Sequence, residues 1–286
     1  MSAKPSPKPE VIRILFSKKW DAEKKTLNSP KVTFSEVTDA IREANRRMGT
    51  DLSDKNPANF LKDIIRHAER ANANWPAELK HARVTAEQRK GQKLCFEFVF
   101  YAPGQEEPFP DRFRSTSETR THDVQGITIS LASRVFGRKD EQWLIQVAVR
   151  QEIVPTHLAL FSELEVDEID HLQTSVKLRT TEIDCLFLAK VKIKGKPTDA
   201  LVTVEAKSAE SILPGQIADQ VNAALGQAGT QLVVPLALKA EGGDRSHSRI
   251  YVCEFEPFEP GTVTEARDLR VASECCYRIR PKIPGI

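Results

Sequence analysis
No run of this 286-residue chain approaches the ~20 apolar residues that a membrane span needs, and no apolar signal-peptide core follows its start. These absences predict a cytoplasmic protein without membrane contact. Cysteine is scarce and badly spaced for metal. Cys95, Cys185 and Cys253 lie in apolar runs and read as small core thiols, and Cys275 and Cys276 are adjacent. The absence of a CxxC argues against a zinc site. The histidines His67, His81, His122, His157, His171 and His247 show no ligand spacing and read as surface or capping residues. Trp20, Trp75 and Trp143 read as core. The lack of GxxxxGK[ST] excludes an NTP-driven motor within the chain. No GxSxG, HExxH or GxGxxG is present, and no repeat or coiled-coil period runs through the sequence.

The chain does have enough apolar residues for a core, at 40% hydrophobic and 29% charged. Its net charge of +2 is unevenly spread: residues 1–103 carry 20 Lys+Arg against 13 Asp+Glu, and residues 104–286 carry 22 against 27. A basic front and an acidic back fit a nucleic-acid-contacting module followed by a metal-loading one. Ordinary surface variation is the plainer reading. The organisation expected is a flexible tail over 1–10, a mostly helical domain over 11–103, a linker or DNA-contacting loop over 104–126, and an α/β domain over 127–286.

In the front domain, Thr33-Phe34-Ser35-Glu36 fits a capping box and predicts a helix to Met48, stopped by Gly49. A second helix should open at Asn56-Pro57 and carry Phe60, Leu61, Ile64, Ile65 and Ala68. A short third helix should follow Trp75-Pro76. A hairpin then joins Val84-Thr85 to Leu94–Tyr101 through the basic tip Gln88–Lys93. Helices followed by a hairpin resemble a winged-helix module, in which one helix enters the major groove and the wing touches the backbone. Arg66, His67, Arg70, Lys80, Arg83, Arg89, Lys90 and Lys93 are the candidate contacts, joined by Arg112, Arg114, Arg120 and His122 of the connecting segment. The alternative is a structural helical subdomain with a solvated basic face.

The back domain should run through a helix over 127–136, a strand or buried helix over 143–149, a helix over 156–172, and the strand Glu182–Ile193. The turn Lys194–Asp199, the strand Leu201–Ser208, a helix over 214–227 and strands over 231–238 and 249–255 should follow. Two of these strands hold acids inside apolar runs: Glu182 and Asp184 in the first, Glu205 with Lys207 in the second. Positions i and i+2 share a strand face, and buried acids are costly unless something binds them. A divalent metal and a phosphate would do so. Two carboxylates supply hard oxygen ligands, and the Ala206 carbonyl could supply another. A lysine beside the phosphate could orient water and stabilise developing charge. The alternative is a hairpin face of exposed salt bridges.

Asp184, a hairpin, then Glu205-Ala206-Lys207 and a helix resemble the PD-(D/E)xK nuclease superfamily, which includes most type II restriction endonucleases. The proline of its first motif is replaced by Ile183, and the resemblance is specific over about residues 156–255. It implies a restriction-endonuclease-like α/β core with a central mixed sheet flanked by helices. The implied function is a Mg²⁺-dependent endonuclease acting on double-stranded DNA in bacterial defence, with Mn²⁺ able to substitute. The implied metal set is Asp184, Glu205 and Ala206, with Glu182, and Lys207 would act on water and phosphate. A further acid comes from Glu163 or Glu182, and Gln216, rather than Gln220, would orient substrate or water. A homodimer matches the two strands of a duplex, and a cognate DNA methyltransferase would act separately. A repair or structure-specific nuclease, one guided by a partner, or a non-catalytic DNA-binding regulator on a degenerate nuclease fold are the alternatives.

Overall fold
The computed structural model describes residues 6–89, 91, 93–178, 181–261 and 263–286. They form two compact units, Met1–Asp111 and Arg112–Ile286.

In the first unit α1 (Lys8–Ser17) takes up the end of the expected 1–10 tail, of which residues 1–5 lie outside the described residues. The strands β1 (Trp20–Asp21), β2 (Thr26–Leu27) and β3 (Lys31–Thr33) lead into α2 (Phe34–Met48). The expected capping box closes α2: the Glu36 N–H donates to Thr33 Oγ1 at 3.3 Å and the Thr33 N–H to Glu36 Oε2 at 2.7 Å. Gly49, at φ 62°, ends the helix in the left-handed region. The second expected helix is broken instead. A 3₁₀ turn at Pro57–Asn59 precedes α3 (Lys62–Ile65), α4 (Ala68–Asn74) and α5 (Ala77–His81). The apolar spacing was legible, but each short turn docks separately, with Leu61, Ile65 and Ala71 buried. β4 (Val84–Gln88) and β5 (Leu94–Phe100) complete a sheet ordered β3-β5-β4.

The second unit contains β6 (Thr121–Gln125), α6 (Leu131–Arg134), α7 (Glu141–Arg150), α8 (Ile153–Leu160), β7 (Glu165–Leu178), β8 (Thr181–Ile193), β9 (Lys196–Lys207), α9 (Pro214–Leu225), β10 (Leu232–Gly242), β11 (Ser248–Phe255) and β12 (Val271–Arg280). The sheet is mixed and seven-stranded, ordered β6-β12-β11-β10-β9-β8-β7. The pairs β9/β10 and β6/β12 are parallel and the others antiparallel. A two-residue turn joins β8 to β9, with Lys194 at φ 51° and Gly195 at φ 77°. Positive φ at both positions is the hairpin geometry whose twist matches the strands. One face of the sheet packs under α7 and α8 through Phe187, Val202, Val204, Leu236 and Val252. The other face packs under α9, where Val221 and Ala224 meet Ile183 and Val233, and Ile217 meets Tyr251 and Phe255.

Three expectations change here. The 127–136 helix shrinks to α6, opened by Ser130. The 156–172 helix ends at Leu160, and the chain continues as the edge strand β7, whose polarity on both faces imitates a solvated helix. Residues 104–126 are not a free linker. Phe109 meets Trp75 edge to face at 4.8 Å between ring centres in the first unit, and Phe113 is buried against Phe255 in the second. The two aromatic anchors sit in an otherwise polar stretch, which hid them.

His157, read as a surface or capping residue, is fully buried. Its Nε2 lies 2.8 Å from Ser273 Oγ and its Nδ1 3.2 Å from the Tyr277 hydroxyl. Glu254 accepts from Ser162 at 2.6 Å and Ser273 at 2.7 Å, and lies 3.7 Å from the imidazole. Burial pushes His157 down to about 4 and raises the Glu254 carboxyl. An unfolded histidine protonates near 6.5, so between roughly pH 6.5 and 4 the unfolded state holds the extra proton and stability falls with pH. The raised Glu254 has the opposite sign, losing stability as pH climbs above its ordinary range. His157→Gln should therefore flatten the acid side of the stability curve. Calorimetric melting between pH 7 and pH 4 checks this, and an unchanged slope would refute it.

Candidate active site
The β8–β9 hairpin brings the acids together at its open end. The ladder's last paired residues there are Cys185 and Val204, and one step beyond them Asp184 lies across from Glu205. Asp184 does not continue the ladder through its backbone. Its Oδ2 accepts the Ala206 N–H at 2.8 Å, so a side chain replaces the missing strand partner. Glu205 and Lys207 share a face of β9, and Lys207 Nζ lies 2.7 Å from Glu205 Oε1. The same ammonium donates to the Ala206 carbonyl at 3.2 Å. Glu205 is 3% exposed and Lys207 9%. This is a buried charge cluster, and the exposed salt-bridged hairpin face does not describe it.

Gln220 reaches the cluster from α9. It is 1% exposed, and its Nε2 donates to Glu205 Oε2 at 2.5 Å. It also lies 3.5 Å from the Glu182 carbonyl. Gln216, the glutamine favoured from sequence, is half-buried one turn away, so the two exchange places. Glu182 is exposed, and it acts on Asp184 only through its charge. Glu163 is also exposed, and its charge acts on Glu254 in the His157 network. The acid that α7 contributes is Glu141, in the helix's first turn and half-buried. Its charge acts on both Asp184 and Lys207.

The electrostatics follow from burial. Desolvation raises the Asp184 carboxyl and outweighs the Ala206 N–H and Lys207, while Glu182 and Glu141 add to the rise. Burial opposes the Lys207 charge, but Glu205, Asp184 and Glu141 more than offset it and hold the ammonium above its ordinary range. Lys207 is therefore charged at neutral pH and suited to stabilising an anion rather than accepting a proton. Among the described residues, no group of three His, Cys, Asp or Glu side chains is placed to hold a metal ion. Two carboxylates and a backbone carbonyl are donors of the kind Mg²⁺ takes, since it keeps several waters and accepts one or two carboxylates.

The chain matches no known family model, no curated protein and no solved structure. The site is therefore read from its own geometry.

The candidate DNA contacts divide. Arg70, Lys93, Arg112, Arg114 and Arg120 are exposed. Arg83 is held over the Tyr101 ring at 5.0 Å and donates to the Gln105 carbonyl at 2.6 Å. Arg89 pairs with Glu87 at 2.9 Å and Glu97 at 3.0 Å, and Arg66 with Asp63 at 3.8 Å. Lys90 and Gln92 lie outside the described residues.

The signals for the missed residues were present. Asp140 caps α7, accepting the Trp143 N–H at 2.8 Å, which would have placed Glu141 in a first turn. Gln220 falls within the apolar stripe Ile217, Ala218, Val221 and Ala224, where a polar residue needs a buried partner. Removing one member of the buried pair should be costly. Lys207→Met is expected to lower stability by roughly 3–5 kcal/mol, more so at higher pH as the acids ionise, and Glu205→Gln/Lys207→Met by much less. Denaturant unfolding checks the non-additivity, and additive losses would show that the pair is not coupled.

Proposed function
We propose that the chain is a Mg²⁺-dependent endonuclease of the PD-(D/E)xK type that hydrolyses phosphodiester bonds in double-stranded DNA, in the manner of a type II restriction enzyme. One observation carries this reading: at the open end of one hairpin, half-buried Asp184 takes the Ala206 N–H while its neighbours Glu205 and Lys207 form a buried pair. Asp184, Glu205 and the Ala206 carbonyl would hold the metal. When bound, Mg²⁺ supplies an acidified water and neutralises charge on the scissile phosphate. Mn²⁺ would substitute.

The chain's own residues have separate tasks. Lys207 stabilises the developing negative charge on the phosphate. Gln220 fixes the Glu205 carboxylate through its amide. Glu141 adds a third negative charge beside Asp184 and Lys207, the place for which sequence offered Glu163 or Glu182. The sheet order β3-β5-β4, with helices between β3 and β4 and a hairpin at the end, supports reading the first unit as a winged-helix DNA-binding module. Exposed Arg70 and Lys93 are its best remaining contacts. Action as a homodimer would let the two copies cut strands of opposite polarity.

Digestion of supercoiled plasmid with and without Mg²⁺ tests the proposal. Wild type should cut, and Asp184→Ala and Lys207→Ala should each lose at least about 100-fold. Glu141→Gln should impair cutting and Glu163→Gln should not. A wild type that binds duplex DNA without cutting would favour the regulator. Because metal must displace the proton that the raised Asp184 tends to hold, cleavage should weaken as pH falls, and added Mg²⁺ should restore it. A pH profile insensitive to metal concentration would argue against Asp184 as a ligand.

A further inference from the structure
Four of the ten large hydrophobic side chains that stand exposed among the described residues fall within ten positions: Ile127, Leu131, Val135 and Phe136, at 76–84% exposure. Single exposed hydrophobics are ordinary, but so dense a group marks a surface that binds something. Leu131 and Val135 lie one turn apart on the outer side of α6, and Thr128, Ser130 and Ala132 are exposed between them. Charge is missing from this face. Arg134 is the one charged residue from 127 to 137, and it is 6% exposed. Its guanidinium turns inward and donates to the carbonyls of Gly126 at 2.5 Å, Ile129 at 3.1 Å and Pro281 at 3.1 Å. The rest of the segment is also held in place. Thr128 Oγ1 donates to the Arg150 carbonyl at 2.8 Å, and Ser130 caps α6 by accepting the Ser133 N–H at 3.1 Å. Gly137 packs so closely on the C-terminal segment that a Cβ there would come within 2.4 Å of the Pro284 carbonyl oxygen. An apolar face on a fixed frame loses little entropy on binding.

The size of the face indicates its occupant. At these exposures the four side chains present on the order of 500 Å² of apolar surface. A standard interface buries about 800 Å² per partner, and homodimer interfaces are about 65% apolar, so each copy must supply about 500 Å² of apolar surface. The segment meets that requirement alone. Two-fold pairing also sets residues near the axis beside their own copies, where any charge would repel itself. An uncharged face avoids that repulsion. Duplex DNA fits it poorly, because phosphates are held by cations and polar donors and the one cation here faces inward. We propose that the 127–136 face is the two-fold interface between copies of this chain. The segment runs directly into α7, the helix that brings Glu141 to the acidic cluster. The interface stands on its own geometry. Its consequence for cleavage, a second copy placed to cut the opposite strand, rests on the nuclease reading.

Sedimentation equilibrium of the full chain from about 1 to about 100 μM tests the interface. Wild type should show twice its 32.1 kDa mass. Leu131→Asp would bury an uncompensated charge in the interface and should weaken association at least about 100-fold. Leu131 is exposed in a single copy, so circular dichroism of the variant should match wild type. Phe136→Ser is a second disrupting variant should the aspartate fail to fold. Leu172→Asp makes the same change at an exposed leucine of β7, at the opposite end of the sheet, and should leave the dimer intact. A wild type that stays monomeric at the highest concentration, or a folded Leu131→Asp that dimerises as wild type does, would overturn the interface. In plasmid digestion, wild type should produce linear DNA and Leu131→Asp should accumulate nicked circles. A dimer that cuts no plasmid would remove the nuclease reading and leave the interface standing.

Discussion
The second unit is organised around the buried pair of Glu205 and Lys207. Isolated, either charge would be expelled from so shielded a place. Each is retained because it satisfies the other, with Gln220 holding the second carboxylate oxygen and the Ala206 carbonyl taking a bond from the ammonium. That arrangement requires β9 to be extended through Lys207, α9 to return across it, and β8 to end its ladder one residue short of Asp184. The sheet order, with β9 between its hairpin partner and a parallel neighbour, meets all three conditions. A hydrophobic substitute for the pair would stabilise the fold as well or better. The persistence of charge at that position is therefore more readily understood through what the charges could bind.

Asp184 shows how the backbone and the site depend on one another. Where antiparallel pairing stops, the Ala206 N–H would be left without a strand partner. A carboxylate takes it, which ties the position of Asp184 to the carbonyl and side chains of its neighbours on β9. The cost appears in the raised carboxyl, because burial and the charges of Glu182 and Glu141 outweigh the hydrogen bond. The His157–Glu254 network is also buried and hydrogen-bonded, but hydroxyls satisfy it from within. It lacks a charged partner of the kind Lys207 provides, and Glu163 beside it gives no reason to place chemistry there.

The sequence was legible wherever a local pattern decided the outcome. The capping box at Thr33, the Lys194-Gly195 turn and the apolar strands with their acids all report interactions within a few residues. It was misleading where a distant partner decided. The edge strand β7 gains its structure from the length of β8 beside it, and its polar faces resemble a helix surface. The broken helices between Asn56 and Asn74 have helical spacing but dock turn by turn. Glu163 was a sound candidate if the helix before β8 ran beside Asp184. The chain instead inserts β7, and the helix end that reaches the site belongs to α7, which brings Glu141. Gln220 ranked behind Gln216 because nothing local separates two glutamines one turn apart, and only the fold shows that its face is the covered one.

Lys239 marks the limit of motif reading. Nothing in its local sequence separates it from a lysine near the end of any strand, and its alignment with Lys207 exists only because α9 returns the chain parallel to β9. Parallel pairing of this kind places residues more than thirty positions apart on one face in fixed register. An Asp–Glu-x-Lys pattern is confined to the hairpin and cannot include such a neighbour.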